Sequence, residues 1–185
     1  MKPSEPEPVK LFHGILYSNE QLLVEAKERL TENFGKIDYT SSIFPFDLTG
    51  YYEEEMGSPI YRIFISHSPL IDPKQLAEIK IITNKIEDDL SSESNRKVNI
   101  DSGYMDVCKV VLASGKYNGQ KIYLDSGIYA DLTLYYEKGN FFHYPWSFPD
   151  FRSDEYNRAF LMIRERYKVQ HKQWFREKQL EVEEG

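Results

Sequence analysis

The chain has 185 residues, with 23 Lys and Arg against 30 Asp and Glu and a formal net charge of −7. That length suits one domain with a substantial core and no need for metals or disulfides. An acidic balance argues against a broad nucleic-acid footprint, a lone cysteine excludes an internal disulfide, and no run approaches the ~20 apolar residues that span a bilayer.

The opening residues 1–8, "MKPSEPEP", read as a disordered leader, 9–175 as one domain and 176–185 as a charged end. "VKLFHGILY" from Val9 to Tyr17 is a short apolar run that predicts a central strand, with Gly14 marking a bulge or the close approach of another backbone. Ser18 followed by Gln21 predicts a helix start, and Leu23, Ala26, Leu30 and Phe34 share one face up to Gly35. "IDYTSSIFPFDLT" reads as a strand broken at Pro45, and "GYYEEEMGSP" as an acidic loop or single turn.

In "IYRIFISH", Ile60, Arg62, Phe64 and Ser66 alternate with Tyr61, Ile63, Ile65 and His67. Both sets mix polarities, which predicts a strand covered on both faces. Asp72, Pro73 and Gln75 form the clearest helix start, and Leu76, Ile79, Ile86 and Leu90, with Ile82 or Thr83 between them, form its apolar stripe. "VNI" begins a short strand that runs into Asp101-Ser102-Gly103, which is favoured as a turn. Tyr104 to Ala113 is read as a short helix, and Cys108, set between apolar neighbours, as a buried inert thiol.

"QKIYL" and "GIYADLTLYY" follow as strands, with Asp125-Ser126-Gly127 as the hairpin turn between them. "EKGN" is a second turn, with "FFHY" returning antiparallel. A long helix capped near Ser153 carries Tyr156, Phe160, Ile163, Tyr167, His171 and Trp174 on one stripe. The order implies an α+β fold: a ferredoxin-like split β-α-β-β-α-β core with a mainly antiparallel sheet, an added β-hairpin and a C-terminal helix.

Three regions bear functional chemistry. A helix start after Asp101-Ser102 has amides for an anion, although Asp101 would repel one without a bridging cation. Asp47, Tyr51, Tyr52, Glu53, Glu54 and Glu55 gather oxygen ligands of the kind a hard divalent cation takes, and a solvated acidic loop accounts for the same run. The segment Phe141 to Tyr156 holds seven aromatic residues, suiting a stacking surface or a core cover, with Arg152 near enough to meet a phosphate or carboxylate. His13, in a strand next to Gly14, and His67, at a strand end, could converge on one sheet edge as metal ligands or proton carriers, and a hydrogen-bonded strand residue is the plainer reading of each. "ASGKYNGQ" lacks the spacing of a Walker phosphate loop.

"FPFDLTGYYEEEMG", "LIDPKQLAEIKIITNKIE", "RKVNIDSGY", "IYLDSGIYADLTLYY" and "PWSFPDFRSDEY" together resemble a bacterial and archaeal family, domain of unknown function 4416, from about Val9 to about Trp174. That resemblance implies no established activity and no catalytic residue.

The expectation is a cytoplasmic domain with an acidic, tyrosine-rich cleft for a small polar ligand. Asp47, Tyr51, Glu54, Asp101, Tyr104 and Asp131 line it, with Ser102 and Arg152 as further ligand contacts. Carboxylates of raised pKa in such a cleft would suit acid-base work or cation binding. A divalent cation is the one candidate cofactor, on Asp47, Glu54, Asp101, His13 or His67. The rival expectations are a protein- or RNA-binding module that uses an aromatic surface, and an oligomer joined through the last helix.

Overall fold

The computed structural model describes residues 3–47, 52–91 and 95–184, with only the backbone of 53, 54 and 181–184. In chain order the elements are β1 (Val9–Tyr17), α1 (Glu20–Phe34), β2 (Ile37–Thr40), β3 (Phe44–Pro45), α2 (Glu53–Met56), β4 (Tyr61–Ile71), α3 (Leu76–Asp89), β5 (Val98–Met105), β6 (Lys109–Ser114), β7 (Ile122–Asp125), β8 (Ile128–Glu137), β9 (Asn140–His143) and α4 (Asn157–Glu184). Among the described residues the strands form one sheet in the order β2-β4-β1-β5-β6-β8-β7, with β3 also on β4 and β9 also on β8. Every pairing is antiparallel.

Helices cover both faces of this sheet. Ile15, Ile63, Ile65, Val98 and Ile100 pack on Ala26 and Leu30 of α1 and Ile86 of α3. On the opposite face Phe12, Phe64 and Met105 pack on Ala159, Phe160 and Ile163 of α4. A strand buried on both faces explains why β1 is closed to solvent along its whole length and why the alternation in β4 mixes polarities. Arg62 and Phe64 face α4 whereas Ile63, Ile65 and His67 face α1 and α3, as the sequence pattern implied.

Several local features differ from the sequence reading. The cap of α1 is Asn19, whose side chain accepts from the amides of Gln21 and Leu22, while the Ser18 hydroxyl donates to Met56 O. At α3 the capping box of Asp72 and Gln75 forms as expected, on a short 3-10 turn leading into the helix. Ser153 makes no capping bond, and α4 begins at Asn157 after two 3-10 turns. The break in the 37–45 region falls at 41–43, and Pro45 belongs to β3.

The Asp101-Ser102-Gly103 triplet is no turn and starts no helix; it lies inside β5, paired with β1 along its length. Tyr104 to Ala113 is strand, turn, strand, because the turn at Asp106 lets β6 fold back on β5: its Oδ1 accepts from the amides of Cys108 and Lys109. Cys108 is consequently exposed. Asp125-Ser126-Gly127 does turn the β7–β8 hairpin, with φ of 51° at Ser126 and 76° at Gly127.

Candidate functional site

Gly14 pairs regularly with Phe64 on one side and Asp101 on the other, so it marks neither a bulge nor another backbone. What approaches it is a side chain. A Cβ at this position would stand 2.8 Å from Arg62 Nη1 and 3.0 Å from the Phe64 ring. The missing side chain leaves a bed on β1 in which the Arg62 guanidinium lies, 3 % exposed.

Four rings surround that guanidinium: Phe46, Phe64, Phe151 and Tyr156, with centroids 5.3, 5.7, 5.6 and 5.9 Å from Arg62 Cζ. Its charge is met by two carboxylates. Nη1 donates to Asp101 Oδ2 at 3.0 Å, and Nη2 lies 3.2 Å from Asp150 Oδ2 as an ion pair without hydrogen-bond alignment. Arg62 Nε has no hydrogen-bond partner at all. Burial works against the charge of Arg62, but the two carboxylates outweigh it and hold the pKa above the ordinary value. For Asp150 burial wins over the guanidinium, pushing its carboxyl pKa up.

This charged cluster forms the floor of a cavity of about 400 Å³. Phe46, Tyr52, Phe148, Pro149 and Phe151 form its walls and Lys116 stands with them, while Asp101 and Asp150 border the floor. The volume and the apolar lining with a few converging polar groups match small-molecule sites. Asp101 is the accessible carboxylate, its side chain 30 % exposed. Asn99 Nδ2 donates to its Oδ1 at 3.0 Å, so both oxygens are oriented and each keeps a lone pair for a ligand donor.

Two supports hold the walls. Arg152 donates to the carbonyls of Ser147 at 2.7 Å and Pro145 at 2.8 Å, fixing the loop that carries Phe148 and Asp150. Arg96 grips Glu55 of α2 through Nε at 2.8 Å and Nη2 at 3.0 Å, and its Nη1 reaches Asn99 Oδ1 at 3.0 Å. A single arginine thereby ties the helix beside Tyr52 to the residue that orients Asp101.

Among the described residues expected to share a cleft, Asp101 alone borders this cavity. Asp47 is exposed and is not among its lining residues; Tyr51 lies outside the described residues, as does the Glu54 side chain. Ser102 and Tyr104 point to the opposite face of the sheet, since strand neighbours alternate. Tyr104 packs beside Val111 and Leu132 there, and burial raises its pKa. Asp131 is buried on β8 behind the cavity wall, 3.4 Å from Lys121 Nζ, whose ammonium lies 5.5 Å from the Phe148 ring. Arg152 holds backbone carbonyls rather than facing the cavity.

His13 and His67 do come together, with ring centroids 5.1 Å apart, but inside the α1–α3 face rather than at an edge. His13 Nδ1 is 3.1 Å from Ser102 Oγ, which is 2.9 Å from Thr83 Oγ1 of α3, and His67 Nδ1 donates to Gly35 O at 2.7 Å. Both Nε2 atoms lack partners. Burial lowers the pKa of each ring. Among the described residues no group of three or more His, Cys, Asp or Glu side chains is placed to hold a metal ion.

Of the cavity residues, the sequence reading did not single out Arg62, Asp150, Phe46 or Lys116, whereas Tyr52 lay in the acidic loop and Phe148 in the aromatic segment that it named. Arg62 carried a signal: an arginine next to the apolar run Ile63-Phe64-Ile65, in a strand expected to be covered on both faces, is costly unless paired. Asp150, in "FPDF", carried none. A separate chain of rings runs along β8 and β9: Tyr135 contacts Phe142 at 5.6 Å and Tyr144 at 5.2 Å, and Tyr144 stacks on Trp146 at 4.9 Å and 7°. Trp146 Nε1 donates to Leu132 O, and Phe142 and Trp146 are exposed.

The molecule is thus an α+β domain with a mostly antiparallel open sheet and an aromatic-walled cavity over a charged floor. The chain belongs to the family described as Domain of unknown function (DUF4416), whose model matches residues 7–167. Neither curated proteins nor solved structures gave a match. No helix among the described residues is long and apolar enough to cross a membrane.

Proposed function

We propose that this domain binds a small molecule in the cavity over Arg62, Asp101 and Asp150. The observation that carries the reading is the buried guanidinium held between two carboxylates at the base of an aromatic-walled space. Taking Arg62 and Asp150 out of water costs several kcal/mol per ion before pairing, and apolar residues of similar volume would often stabilise the fold as well or better. Such a cluster is retained where it has work to do. The ligand has a flat or apolar body, which the rings of Phe46, Tyr52 and Phe148 cover, and N–H or O–H donors that meet Asp101. A strongly anionic head is disfavoured beside two carboxylates. A bare divalent cation would have to displace Arg62 from Asp101.

Ligand-observed NMR with a library of flat amines, amides and alcohols tests this. Binders should lose their signal change with Phe148→Ala and with Asp101→Asn, while both variants keep the wild-type circular dichroism. Binders that ignore both substitutions would sink the proposal, as would a library with no binder.

A second reading rests on the ring chain Tyr135, Phe142, Tyr144 and Trp146, which suits stacking by a partner such as single-stranded RNA. Saturable quenching of tryptophan fluorescence by oligonucleotides supports it, and an unchanged spectrum removes it. We also read the β1–β5 part as a ferredoxin-like split unit, supported by the local order β2-β4-β1-β5 with α1 and α3 on one face. A cytoplasmic location is proposed on the single, unpaired cysteine.

A further inference from the structure

The charged groups of the cavity are ordered by depth. Arg62 and Asp150 lie buried at the floor, with Asp101 partly exposed beside them. Two carboxylates there face one guanidinium, so the floor holds a surplus of negative charge. Lys116 is the other charged residue among the described lining residues. It is exposed, which places it at the mouth. Its charge is felt across that mouth on α2, where Arg96 chiefly, and Lys116 with it, hold the Glu55 carboxyl below its ordinary pKa. Glu55 is matched by Arg96, and Asp131 behind the wall by Lys121, so these pairs leave the gradient from floor to mouth in place.

We infer, on the reading that this cavity binds a small molecule, that its ligand is a zwitterion: an amino acid with an aromatic side chain, its ammonium on Asp101 and its carboxylate on Lys116. An ionised carboxylate accepts at several lone-pair positions, and Arg62 and Asn99 take one on each oxygen of Asp101, so an ammonium finds acceptors on both. Ring faces attract a cation as well, and Phe46, Tyr52 and Phe148 supply them. The same rings pack against an aromatic side chain edge-on or offset. Lys116 carries three N–H donors, enough to serve a ligand carboxylate together with its other contacts. A ligand with the carboxylate alone meets the surplus negative charge of the floor, and one with the ammonium alone leaves the charge at the mouth unmatched. A volume of about 400 Å³ lies near the lower end for ligand pockets and suits a molecule of amino-acid size.

Isothermal titration calorimetry at pH 7 tests this with L-phenylalanine, L-tyrosine and L-tryptophan, each beside its decarboxylated amine and its deaminated acid. At least one of the amino acids should bind. Removing either charged group from it should weaken binding about tenfold or more, the worth of a hydrogen bond to a charged group. Lys116→Met, at an exposed position, should weaken the amino acid and the acid and leave the amine as it was. Asp101→Asn should weaken the amino acid and the amine and spare the acid, with wild-type circular dichroism in both variants. An amine or acid that binds as tightly as its parent amino acid overturns the zwitterion, and so does a Lys116→Met protein with wild-type affinity for the amino acid; in either case the cavity stands as a binding site. The zwitterion also falls, and the cavity stands, if no amino acid of the panel binds but flat amines, amides or alcohols do so in a manner lost with Phe148→Ala. The absence of any binder removes both readings.

Discussion

Replacing Arg62 by Met tests the reading of the cavity floor most directly. Methionine fills similar length without charge, so the aromatic box around it keeps its packing. Asp101 and Asp150 are left facing one another without their shared cation, and Asp150 is 5 % exposed. Removing one partner of a buried ion pair costs about 3–5 kcal/mol. At about 2–4 °C per kcal/mol for a chain of this size, the midpoint should fall by about 6–20 °C. Urea unfolding followed by circular dichroism at pH 7 measures the loss. The pH dependence has a definite sign. Burial already raises the folded-state pKa of Asp150, and losing Arg62 raises it further. A carboxyl whose folded pKa lies above its unfolded value gains stability as pH falls through the folded value. The deficit of the variant should therefore shrink between pH 7 and about pH 4. Adding Asp150→Asn should recover at least about 1 kcal/mol of it, within the range of coupling between contacting residues. A loss under about 1 kcal/mol, or a deficit unchanged by acid and by Asp150→Asn, would refute the argument that these charges are buried and interdependent.

Gly103→Ala should destabilise by about 1–3 kcal/mol in the same assay, since the new Cβ meets Val111 O at 2.6 Å and the Leu112 and Phe12 side chains at 2.8 Å; Gly119→Ala, with open space around it, should stay within about 0.5 kcal/mol. His13 and His67 are wholly buried, and burial lowers the pKa of both. The unfolded rings take up protons below about 6.5 while the folded ones resist, so stability is full above that value and falls as pH drops beneath it. Each contributes at most about 1.4 kcal/mol per pH unit, and His67→Gln should make the fall of stability below about pH 6.5 shallower in urea titrations. An unchanged slope would show that the rings are not sealed. Asp72→Ala should cost about 1 kcal/mol by removing the capping box of α3, and a melting midpoint equal to wild type would remove that assignment.

Local chemistry determined much of this protein without reference to the fold. The capping box at Asp72 and Gln75, the β7–β8 turn at Ser126-Gly127 and the two-faced alternation in β4 are each short-range preferences that tertiary contacts did not override. Tertiary structure decided where local chemistry offered two answers. Asp101-Ser102-Gly103 has the composition of a turn, yet it is strand because partners from elsewhere satisfy each of its residues: Arg62 takes the carboxylate, His13 and Thr83 take the hydroxyl, and β6 with Phe12 leaves room only for glycine. The segment 104–113, rich in valine, is strand because β6 finds β8 to pair with. The cavity is the furthest case. Its residues come from the ends of β3 and α2, from β4, β5, the start of the 115–121 loop and the 148–151 turn, and only the order of strands in the sheet brings Arg62 and Asp101 to either side of Gly14. Spacing along a chain records which side chains share a face; which faces meet is set by long-range pairing, and for this site that pairing was what mattered.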